Sequence, residues 1–120
     1  MQTFRQFVEQ LERKEITDVL DKFIPFVKQE LGVDTIPPIH MVTNKESQAM
    51  KAFGCWDGAA ITLNPEGRHP MDVMRTLAHE LVHVTHNHTD GADGSDDENE
   101  ANAKAGVIMR RFAKANPNLF

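Results

Sequence analysis

Apolar residues recur at helical spacing along the first quarter of the chain. Over residues 3–31 they include Phe4, Phe7, Val8, Leu11, Val19, Leu20, Phe23, Phe26, Val27 and Leu31. Spacings of three and four residues predict helical structure. Proline lacks the N–H that continues a helix, so Pro25 is expected to kink or restart it. Gly32 is a suitable residue after a helix C-terminus. The pattern therefore predicts N-terminal helices.

The next part of the chain has short apolar runs typical of strands. Residues 39–43 follow two consecutive prolines, which force an extended entry, and they predict a first short strand. Residues 52–56 and 59–63 are two further strand-like runs, separated by Asp57-Gly58. This dipeptide between two such runs is the strongest short-range hairpin signal. Together the three runs predict a small three-stranded sheet that includes a hairpin.

Helical periodicity returns in the last part of the chain. One helix is predicted from about residue 70 to 88, with Pro70 at its first position. A final helix is predicted from about residue 96 to 115, with Ser95 as its N-cap. An order of helices, strands and then two helices predicts an α+β fold. At 120 residues, the whole chain 1–120 is expected to form a single domain.

Composition argues against several classes of partner and location. The chain has a net charge of −5, and its 13 basic residues are scattered, which argues against nucleic acid or an anionic membrane as a partner. A single cysteine excludes an internal disulfide and suits a reducing compartment. The polar N-terminus does not resemble a signal peptide, and no apolar run approaches the roughly 20 residues that span a bilayer. We therefore expect a cytoplasmic location.

The chemistry is indicated by His79-Glu80-Leu81-Val82-His83 on the predicted helix at residues 70–88. A spacing of four residues places both imidazoles on one helix face, about one turn apart, where they can share a metal ion. Glu80 follows the first histidine and is placed to act as a general base toward a metal-activated water. Taking about 100° per residue, Val73, Leu77, Leu81 and Val84 cluster on the opposite face. This motif predicts one Zn²⁺ per chain.

A catalytic zinc takes three protein ligands, so two histidines are incomplete. His86 lies on a similar face but about two turns from His79, too far to share one ion on a straight helix. The better candidates are Glu98 and Glu100, which a helix running back beside the first would bring to the metal. Glu98 also fits a capping box with Ser95, in which it only caps its own helix. Spacing alone leaves Glu98 and Glu100 both open.

The two motifs together resemble the gluzincin arrangement of metallopeptidases. His79–His83 followed by Glu98-Asn99-Glu100-Ala101-Asn102-Ala103 is similar to the pattern of the ImmA/IrrE-type, HtpX-like and prenyl-protein endopeptidases. The soluble ImmA/IrrE type is the nearest. The resemblance implies a minimal zincin-like domain in which Glu98 is the third ligand and Asn102 supports a ligating histidine. It also implies an active-site helix and a C-terminal glutamate helix.

The residue four positions after each candidate glutamate also favours Glu98 over Glu100 as the third ligand. If Glu100 were the ligand, the corresponding supporting residue would be Lys104, a poor partner for a metal-bound histidine. The alanines at positions 101, 103 and 105 are expected to let the two helices pack closely.

Substrate binding is predicted from the strand just before the active-site helix. Zincins hold peptides along an edge strand, and Ala60, Ile61 and Thr62 are the candidate residues for that pairing. Peptide hydrolysis also needs a donor for the tetrahedral oxyanion, and the chain has no tyrosine. His86 and Arg110 are the leading candidates, with His69 and His88 as further ones.

The sequence thus predicts a zinc metallopeptidase that hydrolyses a peptide or protein by Glu80-assisted attack of a zinc-bound water. Two alternatives remain open at this level. One is a non-catalytic zinc-binding interaction module, against which the presence of Glu80 speaks. The other is a zinc hydrolase acting on a non-peptide amide.

Overall fold

The fold is α+β, with long helices around a three-stranded mixed sheet. The structure is a computed structural model. The structure describes residues 4–47, 53–85, 95–117 and 119, and side chains over 16–45, 53–85, 98–117 and 119. The elements are α1 (Phe4–Leu31), β1 (Ile39–Met41), α2 (Asn44–Ser47), β2 (Gly54–Trp56), β3 (Ile61–Leu63), α3 (Pro70–Thr85) and α4 (Ser95–Ala115). No helix among the described residues is long and apolar enough to cross a bilayer.

The N-terminal segment forms one continuous helix, α1, where the sequence predicted a kink or restart at Pro25. Pro25 gives up one backbone hydrogen bond, but packing on both sides of it holds the helix together. Phe23 and Val27 are fully buried, and the Phe23 ring meets Phe112 of α4 edge to face at 4.9 Å. At Gly32 the backbone takes a positive φ of 68°, which ends the helix as expected.

The strand order in the sheet is β1-β3-β2. Strand β3 pairs with β1 in parallel and with β2 antiparallel, so the predicted hairpin of β2 and β3 is present. Because β3 is the central strand, both of its edges are already paired. The prediction that Ala60, Ile61 and Thr62 form a substrate-binding edge is therefore wrong. Among the described strands, β1 and β2 are the edges of the sheet.

The hairpin loop is longer than the Asp57-Gly58 dipeptide. Trp56 pairs with Ile61, so residues 57–60 form a four-residue connection. The Asp57 carboxylate accepts the N–H groups of Ala59 and Ala60 at 2.8 and 2.9 Å. Both hydrogen bonds lower the pKa of Asp57, and the bond from Ala60 has the larger effect. Gly58 supplies the positive φ of 96° that the turn requires.

Helix α3 lies at the centre of the molecule and packs on α1, α4, β2 and β3. Its apolar residues Val73, Leu77 and Leu81 are buried, as the periodicity predicted. Ala101 and Ala105 of α4 are buried as well, which lets α4 approach closely, whereas Ala103 is exposed. Trp56 is 8% exposed and belongs to the core. Helix α4 is therefore held directly against the helix that carries the histidine motif.

Candidate metal centre

His79 and His83 lie one turn apart on α3, with their imidazole rings 4.8 Å apart between centroids. Their Nε2 atoms are 3.1 Å from each other. The His83 side chain is 2% exposed and that of His79 17% exposed. The pair therefore forms the floor of a site that opens on the His79 side.

Glu98, in the first turns of α4, closes this site. One carboxylate oxygen lies 3.1 Å from Nε2 of His79, and the other lies 3.0 Å from Nε2 of His83. Candidate ligand atoms of the three residues all lie within 4.8 Å of one another. The structure thus brings together His79, His83 and Glu98, two residues on one helix and one on the next.

With Glu98 ionised, protons alone do not satisfy all three contacts of this cluster. For the carboxylate to accept a hydrogen bond from each histidine, both Nε2 atoms must carry a proton. The two Nε2 atoms would then meet at 3.1 Å as two donors with no acceptor between them. A single cation facing three unprotonated donor atoms removes this conflict, because each lone pair then points toward the ion.

The donor set fits zinc. Two imidazole nitrogens and one carboxylate are the ligands of a catalytic zinc site that keeps a fourth position for water or substrate. With bonds near 2.1 Å, tetrahedral geometry places ligand atoms roughly 3.4 Å apart. The spacings of 3.0 to 3.1 Å in this cluster need only a small expansion to reach that value. A zinc ion would be held by His79, His83 and Glu98.

Glu80 is 3% exposed and lies beside Gly54, the first residue of strand β2. A Cβ atom added to Gly54 would be 3.4 Å from Cγ of Glu80 and only 2.5 Å from Cγ2 of Thr76. Glycine is therefore required at position 54 for β2 to lie this close to α3. Gly54 was not among the predicted site residues, although an isolated glycine inside a strand pattern is typical of a close backbone approach.

The backbone of Gly54 faces away from the sheet. Asn64 donates to the carbonyl of Phe53, and Asp57 donates to that of Ala60, which fixes the alternation of the antiparallel ladder. In that alternation Gly54 occupies a position that is not hydrogen-bonded to β3, so its N–H and C=O point to the outer edge. The strand edge next to Glu80 is therefore that of β2.

The other predicted site residues lie elsewhere. Glu100 lies on another face of α4 and pairs with Lys104 at 3.0 Å, so the structure places Glu98 and not Glu100 at the histidines. Asn102 is exposed, at the edge of the α4 face that packs on the core, and no described hydrogen bond joins it to a histidine. The predicted support of a histidine by Asn102 is not seen.

Of the predicted oxyanion donors, the two that the structure describes, His69 and Arg110, lie away from the site. Arg110 is exposed and 12 residues beyond Glu98, about 18 Å along the helix, so the prediction for Arg110 is wrong. His69 precedes α3, where its Nδ1 accepts the N–H of Met71 at 3.0 Å and its carbonyl accepts that of Asp72. His86 and His88 lie outside the described residues.

No protein-family model, curated protein or solved structure matches this chain. Its function is therefore inferred from its own residues and their geometry.

Proposed function

We propose that this protein is a zinc-dependent metallopeptidase, with His79, His83 and Glu98 as the metal ligands. The observation that supports it most is the close triangle of two Nε2 atoms and one carboxylate, 3.0 to 3.1 Å apart. A purely structural zinc site has no need of a general base, and here Glu80 directly follows the first histidine. The single cysteine suits a reducing compartment, and we keep the cytoplasm as the proposed location.

When bound, zinc would supply Lewis-acid activation of a water and of the scissile carbonyl. Glu80 accepts the proton of the attacking water and then delivers it to the leaving amine. Its burial beside Gly54 excludes bulk water from the carboxylate. His79 and His83 would hold the ion in a fixed position because both rings lie on one face of a single helix.

A peptide substrate would pair with the outer edge of β2. The backbone N–H and C=O of Gly54 face that edge, next to the Glu80 side chain. Main-chain pairing of an extended peptide with an open edge provides affinity without deep side-chain pockets. This suits a domain of 120 residues, and we infer that the substrate is an extended segment of a peptide or protein.

The direct test is digestion of a defined peptide library by the zinc-loaded protein, with products identified by mass spectrometry. Wild type is expected to cleave peptides, and Glu80→Gln to retain zinc while losing activity by at least about 10²-fold. Cleavage by Glu80→Gln at the wild-type rate would contradict the proposed role of Glu80. Full zinc binding with no cleavage in either protein would favour a non-catalytic zinc module instead.

A further inference from the structure

The Arg68 side chain connects two elements near the candidate site, α3 and the start of β2. It lies between β3 and α3, and its Nη2 donates to the carbonyl of Asp72 at 3.2 Å and to the Thr76 hydroxyl at 2.9 Å. Its guanidinium carbon lies 4.3 Å from the ring centroid of Phe53, the residue that precedes β2. One side chain thus joins the first two turns of α3 to the beginning of the edge strand.

Thr76 links Arg68 to Gly54, the residue that also faces Glu80. Its hydroxyl accepts from Arg68 and donates to the Asp72 carbonyl at 3.1 Å, so both bonds fix the side-chain rotamer. In this rotamer its Cγ2 faces Gly54. Glu80 lies one turn further along α3 and faces the same glycine. The position of β2 relative to the Glu80 turn therefore depends on the Thr76 rotamer that Arg68 stabilises.

The contacts of Arg68 allow it to act as a clamp, that is, to hold the beginning of β2 against α3. Burial lowers its pKa, and the nearby Asp72 carboxylate acts in the opposite direction. Its Nη1 is buried and has no hydrogen-bond partner among the described residues, so Nη2 and the contact with the Phe53 ring hold the group in place. A planar guanidinium stacks on an aromatic ring while it donates within its plane, and lysine does not reproduce this geometry.

We propose that Arg68 is a positioning residue that holds edge strand β2 against the turn of α3 that carries Glu80. It thereby sets the place of the Gly54 backbone, to which an extended substrate would pair. The clamping itself is independent of catalysis, whereas its effect on hydrolysis rests on the proposed peptidase function.

Hydrogen–deuterium exchange of the zinc-loaded protein tests the clamp. The variants are Arg68→Met and Arg68→Lys, with Arg111→Met as the matched control, because Arg111 forms a surface ion pair with Glu30 at 2.8 Å. Loss of the clamp is expected to speed exchange of the Cys55 and Asn64 amides about tenfold in Arg68→Met and less in Arg68→Lys. Amides around Leu77 in α3 serve as the internal reference.

Two results overturn the clamp. One is that the Cys55 and Asn64 amides exchange at the same rate in both Arg68 variants as in Arg111→Met. The other is an equal acceleration of the α3 amides, which would mean that Arg68 only stabilises the whole fold.

Hydrolysis provides the second readout. For a peptide long enough to pair along β2, Arg68→Met is expected to raise KM about tenfold with little change in kcat. For a truncated peptide that covers only the scissile bond, wild type and variant are expected to match. An equal loss on both peptides would contradict positioning through the strand. Absence of any cleavage by wild type would instead count against the proposed function, and exchange would still decide the clamp.

Discussion

At the residue scale, the site depends on which carboxylate of α4 faces α3. Glu98 and Glu100 are two positions apart, so they point about 200° apart around the helix. Glu98 meets both histidines, whereas Glu100 pairs with Lys104 on its own helix. The exposed pair contributes little to stability, so the choice between the two acids is set by the buried face of α4, which includes Ala101 and Ala105.

A residue-level prediction concerns Asp57 in the hairpin loop. Its folded-state pKa lies below the unfolded value near 3.8, since its carboxylate accepts two backbone N–H groups. Its contribution to stability is therefore present above that unfolded value and is lost as pH falls through the lowered folded value. Asp57→Asn keeps an acceptor oxygen but does not titrate.

Urea unfolding of both proteins from about pH 5 to about pH 2 measures this effect. The free energy of unfolding is expected to fall more steeply in wild type than in Asp57→Asn over the acid part of this range. Parallel profiles would show that the Asp57 carboxylate does not contribute in this way.

The residues of the candidate site differ in how far sequence could predict them. His79, Glu80 and His83 lie on one helix, so local spacing is enough to place them together. Glu98 follows from resemblance, because its approach depends on how two helices pack. Gly54, Thr76 and Arg68 act through contacts between elements far apart in sequence. A glycine within a strand pattern is a local signal for Gly54, whereas no local pattern ranks Thr76 or Arg68 above other residues.

At the element scale, the site depends on close contact between β2 and α3. The sequence predicts the hairpin because strand-like runs and an Asp-Gly dipeptide are local signals. It does not predict that β3 becomes the central strand, since that depends on parallel pairing with β1, a distant segment. A burial pattern along a strand indicates which face is inside and says nothing about which strands are neighbours. The edge beside Glu80 therefore emerges only from the fold.

The contact between β2 and α3 predicts a specific rescue. In Gly54→Ala the new Cβ would lie 2.5 Å from Cγ2 of Thr76, so we expect a loss of about 1–3 kcal/mol in the free energy of unfolding. Adding Thr76→Ser removes that methyl group and keeps the hydroxyl that Arg68 needs. The double variant is expected to recover most of the loss.

Chemical denaturation of wild type, both single variants and the double variant measures the coupling between the two positions. Strict additivity of the two single effects would contradict the close approach of Gly54 to Thr76.

At the scale of the whole molecule, the candidate metal centre joins parts of the chain that are separate in sequence. Helix α3 is packed by α1, β2, β3 and α4 together, and the cluster connects α3 to the beginning of α4. A small domain has limited apolar area with which to stabilise itself, and a metal that binds only the folded state adds directly to its stability. The order of helices and strands was predictable from periodicity, whereas the packing of α4 against α3 was expected only from the resemblance and from the alanines of α4.

Metal-linked stability follows from this arrangement. Free zinc at about 100 times its Kd is expected to raise the stability of wild type by about 2.7 kcal/mol, a rise in Tm of roughly 10 °C. His83→Ala is expected to lose most of that rise, since it removes a ligand of the cluster. Thermal unfolding with zinc and with a chelator measures both. Equal melting temperatures of wild type in the two conditions would contradict metal binding to the folded state.

The central claim is tested most directly by the metal content of protein purified without added metal. Wild type, Glu98→Gln and Glu100→Gln are compared by elemental analysis, with Glu100→Gln as the matched control on the same helix. The account predicts about one zinc per chain in wild type and in Glu100→Gln, and a large loss in Glu98→Gln, because Glu98 alone of the two contacts both histidines. Absence of zinc from wild type, with none taken up on titration, would contradict the metal centre and the peptidase proposed from it.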